Sequence, residues 1–221
     1  MPSGPEGVTE LSSGAQMRRT GAPDGPAVLC LNGGVSLPLR GDWSASIRYL
    51  VRRLAPAHPG LAFHEVRYRI RSWRRLEMCI EDARAALAAI TAGPRRPVLL
   101  LGYSMGGAVA IAVAGNPAVT TFVGLAPWIP DRIDVATLAG RRVAVIHGSI
   151  DGRPGGVAPR SSRRGVERMH ARGIDASHRL LPGAVHALAV AAPGGRLVPM
   201  PRARAWAGLV DEELRRFEVD A

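Results

Sequence analysis

The feature that most restricts the fold is a succession of short apolar runs of strand length, separated by stretches with helical periodicity. Ala27 to Leu31 (AVLCL), Ala62 to Tyr68, Pro97 to Tyr103 (PVLLLGY), Thr120 to Leu125, Arg142 to His147 and His178 to Leu181 are the strand candidates. Between the first two, Ile47, Leu50, Val51 and Leu54 recur at i, i+3, i+4 and i+7 behind a capping Asp42 or Ser44. Leu76, Ile80, Ala83, Leu87 and Ile90 mark one face of a helix over 73–91, and further helices are expected at 104–114, around 161–171, and at the C terminus through Trp206, Leu209, Val210, Leu214 and Phe217. Strands that are apolar on both faces and alternate with helices imply right-handed crossovers and a covered sheet. The expectation is an α/β three-layer sandwich whose mostly parallel sheet has about six strands. Ligands of such sheets sit at the carboxyl ends of the strands, so the residues that follow each run are the functional candidates.

The first 26 residues are rich in Pro, Gly, Ser and Thr, show no β pattern, and lack the apolar stretch of a secretory signal. They are expected to form a flexible tail ahead of one domain over 27–221, with Met17 as an alternative start. Cys30 and Cys79 make no disulfide framework and match no metal-ligand spacing, so they read as buried thiols of a reducing compartment. No apolar run approaches the roughly 18 residues of a membrane span, and a cytoplasmic location follows as the expectation. The formal charge is +11, yet the sequence contains no lysine. Arginines scattered over many elements, with no aromatic-interleaved basic segment, read as the composition of a GC-rich genome rather than a nucleic-acid surface. Their remaining functional use would be to steer an acidic substrate or carrier protein.

One run ends unlike the others. In LLLGYSMGGA, Gly102-Tyr103-Ser104-Met105-Gly106 places a hydroxyl between glycines where a strand gives way to a small-residue helix. The pattern G-x-S-x-G at a strand-to-helix turn has a mechanical meaning: small neighbours are needed because the nucleophile's backbone is strained and other chain segments pass close by. The helix N-terminus that follows favours negative charge developing beside it.

In this arrangement the chain from about Ala27 to Phe217 resembles an α/β-hydrolase. The resemblance implies a nucleophile, an acid and a histidine in that chain order. Ser104 takes the first place. Asp151 follows the run Val143-Ala144-Val145-Ile146-His147 in a Gly-rich loop, and His186 follows Leu180-Leu181 in another. Asp131, after the preceding strand, is the alternative acid position, and His147 is read as a support of the acid loop. The resemblance further implies an oxyanion hole built from the Met105 N–H and from Gly34 or Val35, in a loop where many relatives have His-Gly in place of Asn32-Gly33.

About sixteen residues, Ala126 to Arg141, separate the strand after the elbow helix from the strand before the acid, too few for a helical cap. The amino-terminal strand pair usual in the family has no counterpart in the leader. A reduced, cap-poor form with an open site is therefore expected, and Trp43, Trp73 and Trp128 are candidates to line its pocket. The activity implied is hydrolysis of a small-molecule ester or thioester, without metal or organic cofactor, with an acidic acyl carrier as a conceivable partner. The competing reading is a binding protein that keeps the fold without turnover.

Overall fold

The computed structural model describes residues 7–152 and 156–221. In chain order the elements are β1 (Thr9–Glu10), β2 (Gln16–Gly21), β3 (Ala27–Leu31), β4 (Leu39–Arg40), α1 (Ala45–Leu54), β5 (Ala62–Arg67), β6 (Ile70–Arg71), α2 (Leu76–Thr91), β7 (Val98–Tyr103), α3 (Met105–Val113), β8 (Val119–Leu125), β9 (Arg142–Gly148), α4 (Pro159–His170), β10 (Ala176–Leu181), β11 (Ala189–Ala191), β12 (Leu197–Pro199) and α5 (Ala203–Asp220). Each of the six apolar runs is a strand. Together they form the parallel part of one sheet with the order β1-β2-β5-β3-β7-β8-β9-β10.

Two layers of apolar side chains cover this sheet. On one face Leu29, Leu31, Leu100, Phe122 and Val145 pack against residues of α2, α3 and α4, among them Ile80, Leu87, Val109 and Met169. On the other, Val28, Phe63, Leu99, Leu101 and Val123 meet Ile47, Leu50 and Leu54 of α1 and Trp206, Val210, Leu214 and Phe217 of α5. Alternate residues along one strand thus feed opposite layers, as the two-residue period of a strand requires. Buried His58, just after α1, fixes α5 in place: its ring nitrogens lie 2.8 Å from Asp211 and 2.8 Å from Glu218. The chain leaves β3 toward α1 on one face and leaves β7 toward α3 on the other. A crevice therefore opens between the carboxyl ends of β3 and β7, at the switch point of the topology.

The sheet has eight strands rather than about six, and the tail expectation fails for part of the leader. β2 pairs antiparallel with β5 along six residues, and β1 pairs with β2. Leu11, Ala15 and Met17 enter the core. The pattern escaped detection because QMRRTG buries one apolar residue; its other anchor is ionic, the Arg18 guanidinium gripping Glu65 with two bonds of 2.8 Å. Residues 1–6 of the expected tail lie outside the described residues. Between β8 and β9 the only regular element is a single 3₁₀ turn, Val135–Leu138, so no helical cap stands there. Among the described residues no helix is long and apolar enough to cross a membrane.

Removing residues 1–21 should expose the β5 edge and the cover over it. Loss of the buried Leu11 and Met17 side chains alone predicts a fall of roughly 3–6 kcal/mol in unfolding free energy, read by guanidinium denaturation. An unchanged midpoint would show that β1 and β2 contribute nothing to the core.

Candidate active site

At the end of β7 the chain turns through Ser104, whose φ of 54° and ψ of −120° put a non-glycine residue in a region L side chains rarely occupy. The turn is held from three sides. The Ser104 N–H donates to the Leu125 carbonyl at 2.9 Å, and the Ser104 carbonyl accepts from the Gly107 and Trp128 N–H groups, each at 2.9 Å. Close approach explains the flanking glycines: a Cβ on Gly106 would lie 2.2 Å from the Leu31 oxygen, and one on Gly102 would lie 2.6 Å from the Gly106 oxygen. Ser104 stands at the N-cap of α3 but makes no capping bond with its side chain.

The hydroxyl is instead engaged by His186. Ser104 Oγ is 3.0 Å from His186 Nε2, and His186 Nδ1 is 2.6 Å from Asp151 Oδ2. Burial works to raise the Asp151 pKa, but hydrogen bonds from His147 and His186 outweigh it and hold the carboxyl at about 2. An ionised carboxylate only accepts, so His186 must donate Nδ1–H to Asp151, which leaves Nε2 as the acceptor for the Ser104 O–H. The Asp151 side chain is fully buried and receives three further bonds: His147 Nε2–H at 3.1 Å, the Gly152 N–H at 2.5 Å and the Val157 N–H at 3.1 Å. His147 also donates to the Val157 carbonyl at 2.7 Å, which fixes the return of the acid loop.

Acid loop and histidine loop are laced together. Ser149 N–H donates to Leu181 and Ile150 N–H to Ala184, while Ser149 Oγ accepts from the Gly183 N–H at 2.9 Å. The parallel register of β9 and β10, which pairs Gly148 with Leu181, brings these loops out side by side.

The loop after β3 closes on the serine from the opposite side. A Cβ on Gly33 would meet Ser104 Cβ at 3.2 Å, and one on Gly34 would meet Met105 Sδ at 2.3 Å, so this backbone lies against the Ser104 turn. Asn32 is buried, and its Nδ2 donates to the Val66 carbonyl at 2.6 Å, tying the start of the loop to β5. Val35 forms a parallel bridge with Ser72, and its carbonyl accepts from the Trp73 N–H.

Trp73 and Trp128 come together, ring centroids 6.4 Å apart, each anchored through its backbone to Val35 and Ser104 respectively. Trp43 does not join them. Its ring lies under the Arg18 guanidinium, 4.3 Å from the centroid, with Arg67 at 5.6 Å, so cation–π stacking at the β2–β5 corner replaces the expected pocket role. Asp131, the alternative acid, is exposed and paired with Arg164 and Arg168. Two contacts escaped sequence reasoning: Tyr103 packs its ring against His186, centroids 5.2 Å apart, and Ser46 of α1 binds the chain just beyond the histidine. The first could be suspected from its place beside Ser104; nothing in the sequence announces the second.

The family model described as serine aminopeptidase, S33, matches residues 65–153, a span that holds Ser104 and Asp151 but not His186. No curated protein matches the chain. Among solved structures it is similar to an α/β serine hydrolase without a lid from Xanthomonas campestris (16% identity, 98% of this chain and 96% of that one, TM-score 0.72). It is also similar to a carboxylesterase from Lactobacillus plantarum (16% identity, 98% of each, TM-score 0.65) and to a thermophilic esterase from Thermogutta terrifontis (15% identity, 97% and 91%, TM-score 0.64).

The depressed Asp151 pKa makes a signed prediction. Its folded value lies below the ordinary carboxylate value of 3.8, so the ionised group contributes stability above about pH 4 and loses that contribution as pH falls toward 2. The stability gap between the native chain and Asp151→Asn should therefore shrink as pH falls from about 4 toward 2. Urea unfolding across that range checks it; a gap that survives undiminished to pH 2 would contradict the assigned hydrogen bonds.

Proposed function

Given that this chain has the α/β-hydrolase fold, we propose that it is a serine hydrolase that cleaves carboxylic esters or thioesters through an acyl-enzyme on Ser104. The observation that carries the proposal is the unbroken hydrogen-bonded line from Ser104 through His186 to a buried, ionised Asp151. A serine hydroxyl is a weak nucleophile at neutral pH and needs an oriented base. Here the base has its tautomer fixed by the carboxylate behind it.

In this mechanism Ser104 Oγ attacks the substrate carbonyl while its proton passes to His186 Nε2. Asp151 stays ionised and stabilises the imidazolium that forms. The oxyanion accepts from the Met105 N–H, at the start of α3, and from the Gly34 N–H. Gly34 is favoured over Val35 because the Val35 backbone is engaged in its bridge with Ser72. Donors set in place before the reaction stabilise charge as it develops without reorganising. Collapse of the tetrahedral intermediate breaks the C–O or C–S bond, and His186 hands its proton to the leaving group. Water then gives a proton to His186, attacks the acyl-enzyme, and releases the acid together with free Ser104.

Ester chemistry agrees with the names of the carboxylesterase and esterase that share the fold. Without a helical cap between β8 and β9, substrate affinity must come from the rim. Trp73 and Trp128 offer an aromatic wall there, and the exposed Arg132 guanidinium lies 5.0 Å from the Trp128 ring centroid. Arg132 has no carboxylate partner among the described residues, which fits an acyl group carried on an acidic coenzyme or carrier protein. The free thiols Cys30 and Cys79 accord with a cytoplasmic setting.

A fluorophosphonate probe should label the native chain and leave Ser104→Ala unlabelled, with His186→Ala slowed by orders of magnitude. Asp151→Asn should lower kcat by about 10³- to 10⁴-fold on an activated ester. A well-folded native chain that takes no label would overturn the hydrolase reading in favour of a binding protein. Substrate charge is read separately: kcat/KM for a carboxylate-bearing ester should fall as salt rises past about 0.1 M and fall again in Arg132→Gln, while a neutral ester responds to neither. Equal behaviour of the two esters would remove the acidic-substrate proposal.

A further inference from the structure

Ser46 lies in the first turn of α1, 140 residues before the histidine in sequence, and is 4% exposed. Its Oγ accepts from the Leu188 N–H at 3.1 Å and the Ala189 N–H at 3.4 Å, and its hydroxyl proton faces the Ala189 carbonyl at 3.4 Å. Both acceptor positions of this hydroxyl are therefore directed at the two residues that end the histidine loop. The Tyr103 side chain sits beside Ser46 and also packs against the His186 ring at 5.2 Å. Burial, outweighing the opposing pull of the Ser46 hydroxyl, pushes the Tyr103 phenol up to about 12, so it stays neutral.

The loop from Pro182 to Ala187 is thus pinned at both ends. Its front is tied to the acid loop through Ala184 and Gly183. Among the described residues, Ser46 is the side chain of α1 that hydrogen-bonds its rear, where Leu188 also packs in the apolar layer shared with α1. We propose that Ser46 is a positioning residue: it holds the 188–189 backbone so that the His186 ring stays on Tyr103 and within hydrogen-bond reach of both Ser104 and Asp151. The proposal rests on the reading of His186 as the general base. Its physical content is that α1, which supplies no reacting group, sets the geometry of proton transfer. Displacement of about 1 Å at such a base is enough to cost up to 10²-fold in rate.

The test compares Ser46→Ala and Ser46→Cys with Ser162→Ala. The cysteine variant leaves no cavity, its sulfur being somewhat larger than the serine oxygen, while it replaces a strong acceptor by a weak one, so it remains informative where the alanine variant does not fold. Ser162 is a matched buried serine whose hydroxyl joins the Pro159 carbonyl and His178 on α4 and β10, with no hydrogen bond to the 182–189 segment. Both Ser46 variants should lower kcat on an activated ester, and the rate of fluorophosphonate labelling, about 10- to 100-fold with KM changed less than about twofold. Ser162→Ala should leave kcat per folded molecule unchanged. A second readout needs no turnover: the far-downfield proton resonance of the His186–Asp151 hydrogen bond, identified by its loss in His186→Ala. It should broaden through faster exchange with water in the Ser46 variants and stay sharp in Ser162→Ala. An unchanged kcat and an unchanged resonance in the Ser46 variants would overturn the proposal, as would an equal loss in Ser162→Ala. Were the native chain to hydrolyse nothing while the resonance still responds to Ser46, the clamp would stand and the hydrolase reading would fall.

Discussion

Everything at this site depends on one strained residue held by the sheet around it. A non-glycine backbone at φ 54° and ψ −120° costs on the order of 1–3 kcal/mol and persists only where the surroundings over-determine it. Here β8 takes the Ser104 N–H, α3 and the loop after β8 take its carbonyl, and β3 presses its own carbonyl against Gly106. Three strand ends and one helix start therefore meet at a single turn. The result is mechanical: the side chain is directed away from the capping position it would fill in an ordinary helix start, and into the crevice where His186 reaches it. Glycine is required at 102 and 106 because backbone atoms occupy the space a Cβ would need, not because the turn calls for flexibility.

The second constraint is electrostatic. Burying a carboxylate is costly unless its oxygens are satisfied, and Asp151 meets that condition with two imidazoles and two backbone N–H groups. Ionisation follows from that count of donors, and the tautomer of His186 follows from ionisation. His147 has a part in this that is distinct from His186: Nε2 bridges Asp151 and the Val157 carbonyl, so it ties the carboxylate to the backbone leading into α4. The i, i+4 spacing of His147 and Asp151, with the Ser149-Ile150 turn between them, makes the contact possible. A Cβ on Gly148 would lie 2.3 Å from the Ala184 oxygen, so this glycine admits the histidine loop.

How much of this the sequence discloses depends on the range of the interaction. The six parallel strands are legible because each is buried on both faces and must be continuously apolar. Ser104, Asp151 and His186 are legible because each follows such a strand at its carboxyl end. β2 was hidden by its arginines, one of which, Arg18, pairs with buried Glu65 and stacks on Trp43. That same contact removed Trp43 from the pocket, an outcome no local pattern could convey. β4 with β6, and β11 with β12, are two- and three-residue pairs made by tertiary contact rather than by periodicity. Ser46 meets its partners across more than 140 positions and leaves no trace in either neighbourhood.

The arginines repay the same distinction between number and place. Their total follows from a composition without lysine, and many are bound by carboxylates: Arg18 by Glu65, Arg69 by Glu81 and Asp82, Arg142 by Glu213, Arg168 by Asp131 and Arg179 by Glu212. Such pairs neutralise one another locally and create little field beyond a Debye length. Arg168 goes further into structure, since it also donates to the Ile129, Pro130 and Ile133 carbonyls and so secures the loop that presents Trp128. Arg74 and Arg75, which follow Trp73, and Arg132 beside Trp128 differ in having no carboxylate partner among the described residues. An unpaired cation acts on a passing anion where a paired one does not. These three are exposed beside Trp73 and Trp128, at a site without a helical cap between β8 and β9.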